Sequence, residues 1–174
     1  RGSSYRMKKE YDRAIADYEL AAKYNPKLPF VLNNIGTVKK KKKDYAGAIA
    51  AYNRAISIDA NYYLAYNNRG SVLFEQGKYD DAMKDFDKAI QLNSKYAPAF
   101  NNRGAVKYKR EDYKAAVKDY DMAIKLNKDY ANAYVNRGIA KERLRDDAGA
   151  CADWSKGREL GSDAAKSYQS TNCQ

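Results

Sequence analysis

A 34-residue interval governs this chain. Asn33-Asn34-Ile35-Gly36, Asn67-Asn68-Arg69-Gly70, Asn101-Asn102-Arg103-Gly104 and Val135-Asn136-Arg137-Gly138 recur at that spacing within 174 residues. Fixed-period self-similarity of this length marks stacked units, each too small to bury its own apolar face and each sharing a core with its neighbours. The period outweighs composition. Leu, Ile, Val and Phe together number 27 at a net charge of +11, a balance that taken alone points to disorder. The apolar material is instead 27 Ala and 17 Tyr.

Numbered from 1 to 34, the repeats start at Pro29, Tyr63, Ala97 and Ala131, and Arg1 to Leu28 supply positions 7 to 34 of a partial repeat. The expected organisation is a partial repeat over 1–28, full repeats over 29–62, 63–96, 97–130 and 131–164, and a C-terminal cap over 165–174. A capping helix is expected from Ser162, with Ala164, Ala165 and Tyr168 facing back. Position 8 is Gly in every unit, position 20 is Ala14, Ala48, Ala82, Ala116 and Ala150, and position 27 is Ala in four of five. Small residues there let two helices approach. Position 24 is a large ring throughout: Tyr18, Tyr52, Phe86, Tyr120 and Trp154. Spacings of 3, 4 and 7 among these positions describe one helical face.

This pattern resembles the tetratricopeptide repeat family, whose motif places Gly and Tyr in a first helix and Ala, an aromatic, Ala and Pro in a second. The resemblance covers all but about the last ten residues. Departures occur at position 4 (Leu32, Tyr66, Phe100 and Tyr134, not Trp), and only Pro26 supplies the terminal Pro. The resemblance implies an all-α, right-handed alpha solenoid of antiparallel helix pairs, helix A over roughly positions 1–14 and helix B over roughly 18–31, with a peptide- or protein-binding role.

Two positions change together. Position 7 is Arg69, Arg103 and Arg137, and position 23 is Asp85, Asp119 and Asp153; the first full unit, starting at Pro29, has Ile35 and Ala51 instead. Pairing within a repeat explains this more economically than pairing between repeats. A planar guanidinium matched to a carboxylate suits a partly buried tie between helices A and B. These residues are therefore read as structural pairs. The partial unit offers Arg1 and Asp17 at the same positions.

Position 6 is Asn34, Asn68, Asn102 and Asn136, and position 5 adds Asn33, Asn67 and Asn101. Asn is a mediocre helix-interior residue, but its amide offers a donor and an acceptor that match a peptide backbone. The position-6 column resembles the asparagine ladder of the O-linked N-acetylglucosamine transferase superhelix, which holds extended peptides by their backbone. Asn34, Asn68, Asn102 and Asn136, with Asn67 and Asn101, are the expected peptide contacts; the bland alternative is that they tie neighbouring helices together. The carboxylate clamp of chaperone-tail adaptors is not matched: Asn33, Thr37 and Pro98 stand where it needs Lys, Asn and Lys.

Charge concentrates at positions 9 to 15. The five windows carry +3, +5, −1, +2 and +2, which accounts for the whole net charge. Cations at helix C-termini complement the helix dipole, yet the run Lys39 to Lys43 exceeds that need. It makes Lys40 and Lys41 candidates for holding an acidic segment, with Phe74 and Tyr108 at position 12 as aromatic contacts. Single-stranded nucleic acid is the alternative ligand, disfavoured because aromatics are few and the unit starting at Tyr63 is not basic.

The chain has no His and two Cys, Cys151 and Cys173. A Cys/His zinc cluster is therefore excluded, no phosphate loop is present, and neither cofactor nor catalysis is expected. A targeting module of a larger enzyme remains an alternative, since the chain opens mid-repeat and reads as a fragment. A disulfide between the two Cys and two free thiols are both open. No apolar stretch approaches a membrane span. The open N-terminal unit raises end-to-end self-association.

Overall fold

The computed structural model describes Ser3 and residues 10–173; Arg1, Gly2, Tyr5, Arg6, Lys8 and Lys9, and with them the Arg1–Asp17 pairing, lie outside the described residues. Ten helices fill the described part and no strand is present there. They are α1 (Tyr11–Tyr24), α2 (Pro29–Lys41), α3 (Tyr45–Ile58), α4 (Tyr63–Glu75), α5 (Tyr79–Leu92), α6 (Ala97–Lys109), α7 (Tyr113–Leu126), α8 (Ala131–Arg143), α9 (Asp147–Glu159) and α10 (Asp163–Asn172). Among the described residues no helix is long and apolar enough to cross a membrane. Two compact units result, residues 1–92 with α1 to α5 and residues 93–174 with α6 to α10.

Helices A begin at position 1, two of them with Pro in the first turn, where no N–H is missed. Helices B begin at position 17, one residue earlier than periodicity predicts. In three of them a side-chain cap, which periodicity does not register, marks that start. Asp44, Asp112 and Asp146 at position 16 accept from the backbone N–H groups of Gly47, Ala115 and Gly149. Between A and B the chain turns through position 15 with positive φ: Lys43 at 64°, Gly77 at 75°, Glu111 at 62° and Arg145 at 63°. Each turn closes on two backbone bonds, for example Glu111 N–H to Tyr108 O and Asp112 N–H to Lys107 O at 3.0 Å each. This left-handed closure satisfies carbonyls that the ending helix leaves open.

Close A–B contact depends on position 8. A Cβ added to Gly36, Gly70, Gly104 or Gly138 would lie 2.5 to 2.8 Å from the position-24 ring of the same repeat. Those rings and the alanines at position 20 are buried and form the core of each unit.

Helix α10 covers the end of the second unit. Ala165 is buried and Tyr168 stacks on Trp154, ring centroids 5.3 Å apart. Ala164 is exposed, contrary to expectation, because a helix starting at Asp163 behind the Ser162 cap turns Ala165, Tyr168 and Gln169 inward instead. Cys151 in α9 is disulfide-bonded to Cys173 beyond α10.

Candidate functional site

The position-7 arginines lie between helices A and B. Arg69 donates through Nε and Nη2 to Asp85 at 2.8 and 2.6 Å, Arg103 to Asp119 at 2.9 and 2.7 Å, and Arg137 to Asp153 at 2.8 and 2.5 Å. Each guanidinium carbon stands 5.5 Å from the centre of the position-4 ring of its own helix, Tyr66, Phe100 or Tyr134. Two features lie beyond the sequence reading. Arg69 and Arg137 also donate Nη1 to position 25 of the preceding repeat, Asn53 and Asp121, at 2.6 Å. In addition, Lys107 and Lys141 at position 11 place Nζ 2.8 and 2.9 Å from the second oxygens of Asp119 and Asp153. Both lysines had counted as part of a basic edge; here they neutralise buried carboxylates. The acid side of each pair is 3–5% exposed, so the surrounding cations share little with water. Burial works against the Arg137 charge, but hydrogen bonds to Asp153 and Asp121 outweigh it and hold the guanidinium above its ordinary range.

The asparagines form chains of amides. In the first unit Asn67 Nδ2 donates to Asn68 Oδ1 at 3.3 Å and Asn68 Nδ2 donates to Asn33 Oδ1 at 2.9 Å. In the second, Asn136 Nδ2 donates to Asn101 Oδ1 at 2.9 Å, and Asn101 Nδ2 donates to Asn102 Oδ1 at 3.4 Å. The position-5 members Asn33, Asn67 and Asn101 are buried, whereas Asn34, Asn68, Asn102 and Asn136 are half-buried. Position 5 therefore holds, and position 6 remains partly open.

Asn68, Lys40 and Lys41 come together in one cleft of about 370 Å³, which Thr37, Lys43, Tyr45, Tyr52 and Glu75 complete. Within it Lys40 is engaged, its Nζ 2.9 Å from Glu75 Oε1 and donating to Ser71 Oγ at 2.6 Å. Glu75 also accepts from the Tyr45 hydroxyl, which pushes that phenol above its ordinary pKa. Burial raises Tyr52 to about 12 against a weak opposing bond to Thr37, 3.4 Å away. Lys41 and Lys43 are exposed on the same rim.

The two aromatic candidates pack within their own repeats. Phe74 lies against Tyr79 at 5.5 Å and Tyr108 against Tyr113 at 5.2 Å, the Tyr108 hydroxyl accepting from Arg143 Nε at 3.2 Å. Both remain half-buried.

Three models of one repeat family match the chain: Tetratricopeptide repeat over residues 63–96, TPR repeat over 38–77 and 104–144, and a further Tetratricopeptide repeat model over 1–28. No curated protein sequence matches it. Among solved structures it is similar to MamA, at 25% identity and a TM-score of 0.75, over 95% of this chain and 96% of that one. It is similar to pilF of Pseudomonas aeruginosa at 18% identity and a TM-score of 0.86, over 98% and 82% of the two chains. YrrB, described as a TPR protein with an unusual peptide-binding site, matches at 18% identity and a TM-score of 0.70, over 97% and 88%.

Proposed function

The chain belongs to the tetratricopeptide repeat family, and on that premise we propose that it is a protein-interaction scaffold that binds an extended acidic segment of a partner against its A helices. The observation that carries this reading is the cleft where Asn68 meets the lysine run. Asn68 is fixed by Asn33 and Asn67, so its remaining hydrogen-bonding capacity is offered without rotamer entropy to lose. Lys40 is neutralised by Glu75, and its part is to position that wall. Lys41 and Lys43 provide the charge that an acidic side chain meets. Asn34, Asn102 and Asn136, with Tyr108 and Phe74, extend the same kind of surface within their own units. The peptide-binding site attributed to YrrB supports binding rather than catalysis as the use of such a fold.

The test is fluorescence anisotropy with a labelled dodecapeptide rich in Asp, Glu and Gly, and in parallel with an oligothymidylate. Asn68→Ala and the double change Lys41→Gln/Lys43→Gln should each weaken the peptide by about tenfold or more. Oligonucleotide binding that is tighter, steeply salt-dependent and indifferent to Asn68→Ala would replace this reading with nucleic-acid binding.

A further inference from the structure

The unit starting at Pro29 lacks a set of residues that its three successors share, and what surrounds the gap is retained. Where the others have an aromatic at position 4, Arg at 7 and Asp at 23, it has Leu32, Ile35 and Ala51. The guanidinium, the carboxylate and the ring beneath them are all missing. In their place is a cleft of about 400 Å³ with Leu32, Ile35 and Ala51 among its walls. Its rim carries the residues that serve the triad elsewhere. Glu19 occupies position 25 of the preceding unit, as Asn53 and Asp121 do where they accept from Arg69 and Arg137. Lys39 occupies position 11, as Lys107 and Lys141 do where they reach Asp119 and Asp153. Among the described residues Lys39 pairs with Asp44 alone, at 3.8 Å. Lys23 and Arg54 complete the rim, giving three cations to one anion.

We propose that this cleft is a second docking site, which takes a partner segment presenting an apolar side chain next to a carboxylate. The carboxylate stands over Ala51, in the place Asp119 and Asp153 fill in the later repeats, and pairs with Lys39. The apolar side chain fills the space that the guanidinium and ring occupy elsewhere, against Leu32 and Ile35. The excess of Lys23, Lys39 and Arg54 over Glu19 selects the acidic neighbour over a basic one. The site is separate from the Asn68 cleft. Positions 4, 7 and 11 of α2 face one way and positions 9, 12 and 13, which carry Thr37, Lys40 and Lys41, face the other.

The molecule supplies its own blocking variant. Ile35→Arg/Ala51→Asp rebuilds the pair as its later repeats have it and closes the cleft. The probe is the peptide acetyl-Gly-Ser-Phe-Asp-Gly-Ser-amide, compared with versions in which Asp becomes Lys or Phe becomes Ser, followed by amide shifts in two-dimensional NMR. The Phe-Asp peptide is expected to shift Leu32, Ile35, Lys39, Gly47 and Ala51 and to bind about tenfold more tightly than either control. Ile35→Arg/Ala51→Asp should remove those shifts. Lys39→Gln, on the half-buried rim, should reduce the Phe-Asp peptide to the level of the Phe-Lys control even if the double variant folds poorly. Equal binding of the Phe-Lys peptide, shifts confined to Lys41 and Asn68, or undiminished binding to Lys39→Gln would each overturn the assignment.

Discussion

Asn136 donates its side-chain amide to the side-chain oxygen of Asn101, 35 residues earlier, at 2.9 Å. The same bond joins Asn68 to Asn33. Each links a half-buried amide on one A helix to a buried amide on the A helix before it. The asparagines are therefore a clasp between consecutive repeats as well as a surface, and the two duties fall on different positions.

That division is measurable. Asn101→Ala deprives the Asn136 amide of its acceptor and should destabilise the protein by about 1–3 kcal/mol in urea denaturation. Asn136→Ala should cost less once Asn101 is gone. Strict additivity across the four proteins would show that the bond contributes nothing.

The carboxylates that serve two cations should matter more than the one that serves Arg69 alone. Asp119→Ala leaves Arg103 and Lys107 facing each other across a mostly dry space and should cost about 3–5 kcal/mol. Asp85→Ala, with Leu73 where Lys107 stands, should cost about 1 kcal/mol less. Adding Lys107→Met to Asp119→Ala should recover part of the loss. Equal destabilisation by Asp85→Ala and Asp119→Ala would dismiss the second cation as a spectator.

Position 15 holds three side chains at φ near 63°, where a Cβ costs roughly 1 kcal/mol. Glu111→Gly and Arg145→Gly should each raise the urea midpoint by up to about 1 kcal/mol of stability, and Gly77→Ala should lower it by a similar amount. A gain at neither site would mean that their side chains contribute as much as the strain removes.

Alkali should act through Tyr52. Its phenol ionises near 10.0 when unfolded and about 12 when folded, chiefly because it is buried. Between those values the unfolded chain has released a proton that the folded chain still holds, so stability falls as pH rises. The loss approaches about 2–3 kcal/mol at the top of the window and is absent below pH 10. Tyr52→Phe should make that part of the urea midpoint's pH profile less steep, with Tyr120, whose phenol burial also raises, supplying the slope that remains.

The bond from Cys151 to Cys173 encloses a separation of 22 residues, for which loop closure stabilises by about 3 kcal/mol. Hydrogen exchange under reducing conditions should rise over Asp163–Asn172 first. Unchanged protection there would leave the Trp154–Tyr168 stack as sufficient to hold the cap.

The fold was legible because its determinants are periodic. Gly104 needs a glycine because the Tyr120 ring lies against it, and Gly36, Gly70 and Gly138 meet the same requirement in the other full repeats. The Arg–Asp pairs were legible for a related reason: Ile35 and Ala51 break the pattern together. The site was less so. A count of charges treats Lys40, Lys41 and Lys107 alike, yet Glu75 neutralises the first and Asp119 the third. Those partners lie across helix boundaries, so helical spacing does not reveal them. The Asp44, Asp112 and Asp146 caps were in plain view at position 16, directly before three of the B helices.

Glu19 and Lys39 stand at positions 25 and 11, where Asp121 and Lys141 serve the Arg137–Asp153 pair, but the unit beside them has no such pair. The same two positions that close a buried tie in one repeat thus border an open cleft in another, and one helix geometry serves as core in the first case and as surface in the second.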